Sequence, residues 1–123
     1  MRPEERDSAY LWDMLDAARA VLDFVGDRSR DEFLAPGREA DVVRMAVERK
    51  LEILGEAARR VSGTFRAAHP ELPWREVVGL RNVMSHQYDK VSYDEVYGIV
   101  REHVPGLVRQ LEILIPPIPD IED

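Results

Sequence analysis

From Leu11 onward the apolar residues recur in steps of three and four: Leu11, Met14, Leu15, Ala18, Val21, Leu22 and Val25. At 3.6 residues per turn such steps fall on one side of a helix, so the pattern predicts a first helix over about residues 5–25. Gly26 is placed to stop it, since glycine readily takes the left-handed conformation that closes helix C-termini. Ser29 and Glu32 have the spacing of a capping box and predict a single helical turn, closed by Pro36-Gly37. Trp12 lies about 100° off the first stripe, at the rim of the core or at a subunit contact, the rim being the simpler placement.

A second helix is predicted from Arg38 to about Ser62, ended by Ser62-Gly63. One of its lines is apolar: Val43, Ala46, Val47, Leu51, Leu54, Ala58 and Val61. The other is mixed: Val42, Met45, Arg49, Ile53, Glu56 and Arg60. A helix with apolar residues on both lines is expected to be central and covered on two sides. Gly55 in its middle costs about 1 kcal/mol relative to alanine. It is either tolerated or marks the close approach of another backbone, and Glu56 is spaced to pair with Arg60 at i,i+4.

Residues 64–72 read as a connector with room for a short turn. Pro73 suits the first position of a third helix carrying Trp74, Val77, Val78, Arg81 and Met84 on one side and ending within Ser85 to Tyr88, before a turn at Asp89-Lys90. Ser92 and Glu95 form another capping-box pair. They open a fourth helix with the stripe Tyr93, Val96, Tyr97, Val100, Val104, Leu107, Leu111 and Leu114, which Pro105 should kink or restart. The expectation is an all-α protein, an antiparallel bundle of four and up to five helices, in a single domain over residues 1–115. A loose, proline-rich acidic tail would follow over residues 116–123.

Composition narrows the class. No run of about 18 apolar residues occurs, so no membrane span is expected, and the first ten residues lack the apolar core of a secretory signal. The chain has no cysteine, which excludes disulfides, cysteine zinc sites and thiol nucleophiles. These features favour the cytoplasm. The formal net charge of −7 argues against general nucleic-acid binding, because phosphates are held by cations. The charge is uneven, however. Residues 38–90 carry ten Lys/Arg against eight Asp/Glu, while the flanks carry seven against sixteen. An anion site is therefore expected in the middle of the chain, unless the imbalance only reflects solvated helix faces.

Proton transfer near neutral pH has three candidates, His69, His86 and His103. His69 precedes Pro70 in the connector without a notable charged neighbour in sequence, and His103 sits beside Glu102 just before Pro105. His86 stands apart, in the run Arg81-Asn82-Val83-Met84-Ser85-His86-Gln87-Tyr88. On a continuous helix Arg81 and His86 would be about 140° apart, but a helix ending between them would let the imidazole return toward the guanidinium. Such a pair suits RNA cleavage by the ribose 2′-hydroxyl without a metal or cofactor. His86 would serve as base or acid, and Arg81 would grip the phosphate. Asn82 could orient the histidine or bond the phosphate, and Tyr88 could stack on a base or donate a hydrogen bond. One histidine does not readily supply both base and acid, so a two-fold homodimer with paired motifs is expected. The same residues also suit a plain structural reading, in which Arg81 and His86 complement a helix C-terminus and Tyr88 lids the core.

At this run the sequence resembles the HEPN superfamily and, within it, the HepT-like family, whose pattern is Arg-x4-His-x-Tyr. Arg81, His86 and Tyr88 match it, with Asn82 in the usual place after the arginine. The flanks are similar too: Glu48 to Ala57 through Gly55-Glu56, Pro73-Trp74-Arg75, Tyr88 to Val91, and Val104-Pro105-Gly106-Leu107. The resemblance implies a HEPN-like helical fold and a metal-independent endoribonuclease toxin, active as a homodimer with its site at the interface. It also implies a cognate minimal nucleotidyltransferase antitoxin that transfers AMP to the motif tyrosine, which would be Tyr88. A charged phosphate there would compete for Arg81. The alternative is a non-catalytic helical module that partners such a nucleotidyltransferase.

Overall fold

A computed structural model describes residues 3–84 and 92–115 of the chain. Every regular element among them is a helix: α1 Pro3–Val25, α2 Arg30–Leu34, α3 Arg38–Arg60, α4 Gly63–Ala68, α5 Trp74–Met84, α6 Tyr93–Glu102 and α7 Val104–Leu114. The described residues form an all-α, HEPN-like bundle. Its long members follow the predicted periodicity, and α2 and α4 are short inserts at the ends of α3. The expected turn at Asp89-Lys90 and the tail 116–123 lie outside the described residues.

α3 packs along α1 on one side and α5 on the other, α7 closes on α1, and α6 meets α2. This matches the central position expected for the second predicted helix. The stripes meet in one core: Met14, Ala18, Val21, Val47, Leu51, Leu54, Val96, Val100 and Leu111 are all fully enclosed. Trp12 is partly buried against this core, at its rim. Leu80 also joins it, a position that the predicted stripe of the third helix omitted. The mixed line of α3 behaves differently, because Val42 and Met45 are 66% and 65% exposed.

Helix ends follow local chemistry. Gly26 adopts φ 54°, and its N–H donates to the Leu22 carbonyl at 2.8 Å. Arg28 caps the same end through the Phe24 carbonyl at 2.9 Å, a cation satisfying an orphan acceptor of α1. Both halves of the Ser29–Glu32 capping box are formed. At Ser92 the hydroxyl accepts from the Glu95 N–H at 3.3 Å. Pro105 sits in the first turn of α7, where its missing N–H costs nothing, so the fourth predicted helix is divided into α6 and α7.

The connector after α3 is more ordered than its sequence suggested. α3 ends at Arg60, and Ser62 is the N-cap of α4, its hydroxyl accepting from the Phe65 N–H at 3.1 Å. Asp7, buried near the start of α1, accepts from the Ser62 N–H at 2.7 Å and the Ser62 hydroxyl at 2.6 Å. The first turns of α1 thus lie beside the end of α3, which makes the two helices antiparallel. At the opposite end Arg44, buried despite its charge, donates to the Phe33 and Ala35 carbonyls at 2.7 Å each and pairs with Asp41. Phe33 in turn packs between Tyr93 and Tyr97, at ring distances of 6.4 and 5.5 Å.

Candidate functional site

The site begins with a glycine. A Cβ on Gly55 would lie 3.0 Å from the Arg81 nitrogen, 3.0 Å from the Val77 carbonyl oxygen and 3.4 Å from that of Val78. Only a residue without a side chain lets α5 come this near, which accounts for a costly glycine in mid-helix. The close approach brings the late part of α5 against the next residue of α3, Glu56.

Glu56 is the centre of an arginine cluster. Its carboxylate accepts from Arg59 Nη2 at 2.7 Å and from Arg60 Nε at 3.2 Å, and lies 3.4 Å from Arg81 Nη1. The expected i,i+4 pair with Arg60 is present, joined by an i,i+3 partner and a third arginine from another helix. The Arg59 hydrogen bond, followed by that from Arg60 and the charges of Arg59 and Arg81, pulls the Glu56 carboxyl down to about 2 despite partial burial. The carboxylate is therefore ionised at any physiological pH.

Arg81 projects from the last described turn of α5 with 55% of its side chain exposed. It lines a cleft of about 460 Å³ with Tyr10, Asp13, Arg49, Glu52, Ile53, Glu56, Ala57 and Arg60. The walls come from α1, α3 and α5. Tyr10 of α1 and Arg60 of α3 line the cleft together. Arg49, Ile53, Glu56 and Arg60 are the mixed line of α3, so the face that periodicity left unexplained is one wall of this cleft.

Of the four motif residues, Arg81 and Asn82 are described, and both are exposed. His86 and Tyr88 lie outside the described residues. The other two histidines occupy different places. His69 Nδ1 is 3.0 Å from Glu71, a charged neighbour that sequence reading overlooked, and its ring stacks on Phe65 at 4.5 Å. His103, exposed between α6 and α7, borders an apolar groove with Leu80, Ile99 and Leu107. Sequence reading also did not place Tyr10, Arg49 or Arg60 beside Arg81. Gly55 was the one usable signal, because a close helix approach next to Glu56 implies a partner for that carboxylate.

Among the described residues no helix is long and apolar enough to cross a membrane. The HepT-like family, described as Ribonuclease HepT-like, matches residues 14–114 of the chain. A Methanocaldococcus jannaschii protein named "Putative RNase MJ1380" is 40% identical over 106 residues, covering 86% of this chain and 94% of its own length. "Probable ribonuclease HepT" from Thermococcus cleftensis is 32% identical over 105 residues, covering 85% of this chain and 92% of its own length. "Putative RNase TTE0752" from Caldanaerobacter subterraneus is 28% identical over 106 residues, 86% of this chain and 91% of its own. No solved structure matches the chain. With a family match spanning α1 to α7 and relatives aligned over nearly their whole lengths, the chain belongs to the HepT-like ribonuclease family.

Proposed function

We propose that this protein is a metal-independent endoribonuclease and the toxin of a cytoplasmic toxin–antitoxin pair, with Arg81 and His86 as its catalytic residues. The observation that carries the reading is Arg81 itself: a solvent-accessible guanidinium on a rigid helix, held from one side by Glu56 at the wall of a cleft. A guanidinium so placed can grip a phosphate with two N–H groups and stabilise charge as it builds on the phosphorane.

The chemistry needs no group beyond these side chains. A base removes the ribose 2′-hydroxyl proton as that oxygen attacks the adjacent phosphorus. The bond from phosphorus to the 5′-oxygen breaks, and an acid protonates the departing oxygen. The products are a 2′,3′-cyclic phosphate and a 5′-hydroxyl. His86 supplies base or acid, each worth about 10²–10⁴-fold in rate. A homodimer that pairs two motifs across its two-fold supplies both. Asn82 supports the histidine or the phosphate, and Tyr88 contacts substrate. In this reading a minimal nucleotidyltransferase antitoxin silences the enzyme by transferring AMP from ATP to the Tyr88 hydroxyl, with loss of pyrophosphate. The catalytic domain spans residues 1–115.

The test is cleavage of a labelled RNA in excess EDTA by the purified chain and by Arg81→Ala and His86→Ala. Wild type should cleave, each variant should lose activity at least about 100-fold, and light scattering should give a dimer. Wild-type cleavage unaffected by His86→Ala overturns the assignment. A wild type that binds a nucleotidyltransferase but never cleaves RNA supports the non-catalytic module instead.

A further inference from the structure

The cleft extends well beyond Arg81. Arg49 and Arg60 are eleven residues apart on α3, which places them on nearly the same face and about 16 Å apart along the axis. Arg81 enters between these two positions from the neighbouring helix, opposite Glu56. The cleft therefore offers cations at both ends and in the middle. Glu56 is shared by three arginines, so one carboxylate is set against Arg59, Arg60 and Arg81 together. The strong acidity of Glu56 reflects those neighbouring guanidinium groups, Arg59 first. Asp13 and Glu52 also line the cleft, so the cations run along the wall as a row and do not cover it. Tyr10 and Ile53 supply the flat and apolar surface between the charges.

We infer that this cleft is a track for single-stranded RNA, in which Arg49 and Arg60 hold backbone phosphates on either side of the one gripped by Arg81 and Tyr10 offers its ring to a base; this rests on the ribonuclease reading above. A row of cations matches a flexible strand, whose phosphates follow one another, better than it matches one compact anion. Aromatic stacking with phosphate contacts is how proteins hold single strands with little sequence preference. The arrangement also suits a chain of net charge −7, because the arginines that would meet the phosphates stand in a row along one cleft.

The experiment measures binding of a fluorescent 12-mer RNA whose 2′-oxygens are methylated, so that it binds without being cut, between 50 and 200 mM salt. Arg49→Ala and Arg60→Ala should each weaken binding about 5-fold and lower the salt slope by about 0.7, the value for one phosphate contact on a single strand. Arg49→Lys and Arg60→Lys should keep the slope. Arg38→Ala, an equal loss of charge at the exposed start of α3, should leave it unchanged. With cleavable 12-mer the loss should fall on KM more than on kcat. Tyr10→Ala should weaken binding without changing the slope. If Arg49→Ala and Arg60→Ala bind with wild-type affinity and slope, the track is overturned even if wild type cleaves RNA. If AMP competes as well per molecule as the 12-mer, the cleft is a mononucleotide pocket and the track is also overturned. If wild type binds with the predicted arginine dependence yet never cuts, the track stands and the ribonuclease reading falls.

Discussion

Glu56 on α3 stands 3.4 Å from Arg81 on α5, and the backbones behind them are in contact through Gly55. The two facts are one device. The glycine sets the distance between helices, and the carboxylate then fixes the direction in which the guanidinium leaves α5. An arginine left to itself would spread over many rotamers, and part of its binding energy for phosphate would be spent on ordering it.

Glu56→Gln tests the carboxylate. The amide keeps the size but loses the charge that holds Arg81, so kcat for RNA cleavage should fall about 10-fold with a smaller change in KM, the mark of a positioning residue. The variant also has a pH signature. The folded carboxyl titrates at about 2 and the unfolded one near 4.5. Ionised Glu56 therefore stabilises the fold fully above about pH 4.5, and that stabilisation is lost as the pH falls toward 2. Melting temperatures of wild type and Glu56→Gln should differ at neutral pH and converge by pH 2. A constant gap across that range would show that the ion cluster is not the source of the difference.

Gly55→Ala tests the approach of the helices. On an exposed helix the change would stabilise by about 1 kcal/mol. Here the new methyl meets backbone atoms at 3.0 Å, which cannot rotate away. α5 must shift, and the net effect should be a loss of about 1–3 kcal/mol in chemical denaturation. Because the shift moves Arg81, cleavage measured under conditions where the variant remains folded should also fall. A variant more stable than wild type would mean that the two backbones are farther apart than described.

How much of this was legible in the sequence follows from what periodicity can carry. The stripes beginning at Leu11, Val43 and Tyr93 gave the long helices, because burying one face requires apolar residues at the helical repeat. α4 was legible only as room for a short turn, because six residues are too few to show a period and its N-cap Ser62 looked like an end of α3. The burial of Arg44 escaped notice because nothing local shows that loop carbonyls will surround it. The mixed line through Arg49, Glu56 and Arg60 was visible. Its meeting with Arg81 was not, since one helix's pattern does not fix its rotation against another. Gly55 alone hinted at it. The other half of the motif, His86 and Tyr88, was legible only as spacing and resemblance, and it lies outside the described residues.

Tyr93 should titrate abnormally. Its partial burial and the hydrogen bond its hydroxyl donates to Glu48 at 2.5 Å push it up to about 12. The unfolded chain would ionise this tyrosine near 10, so the stabilisation it provides is complete below about pH 10 and is lost as the pH rises toward 12. An alkaline absorbance titration should show a tyrosine component that ionises well above pH 10, and Tyr93→Phe should remove that component. A component that persists in the variant would assign it to another tyrosine.

Asp7 joins the start of α1 to the α3–α4 junction, and its removal should be felt in stability. Asp7→Ala leaves the Ser62 N–H and hydroxyl without their acceptor in a partly buried site. Stranded donors cost about 1–3 kcal/mol. Asp7→Asn keeps one oxygen for the backbone N–H and should cost less. Equilibrium denaturation of the two variants should give that order. The location of Asp7 also separates stability from activity. It does not line the cleft beside Arg81, so at a temperature where Asp7→Ala is fully folded its kcat should match wild type, whereas Gly55→Ala should still be impaired. If Asp7→Ala lost kcat while folded, the α1 end of the bundle would have to be coupled to the cleft through Tyr10, three residues further along the same helix.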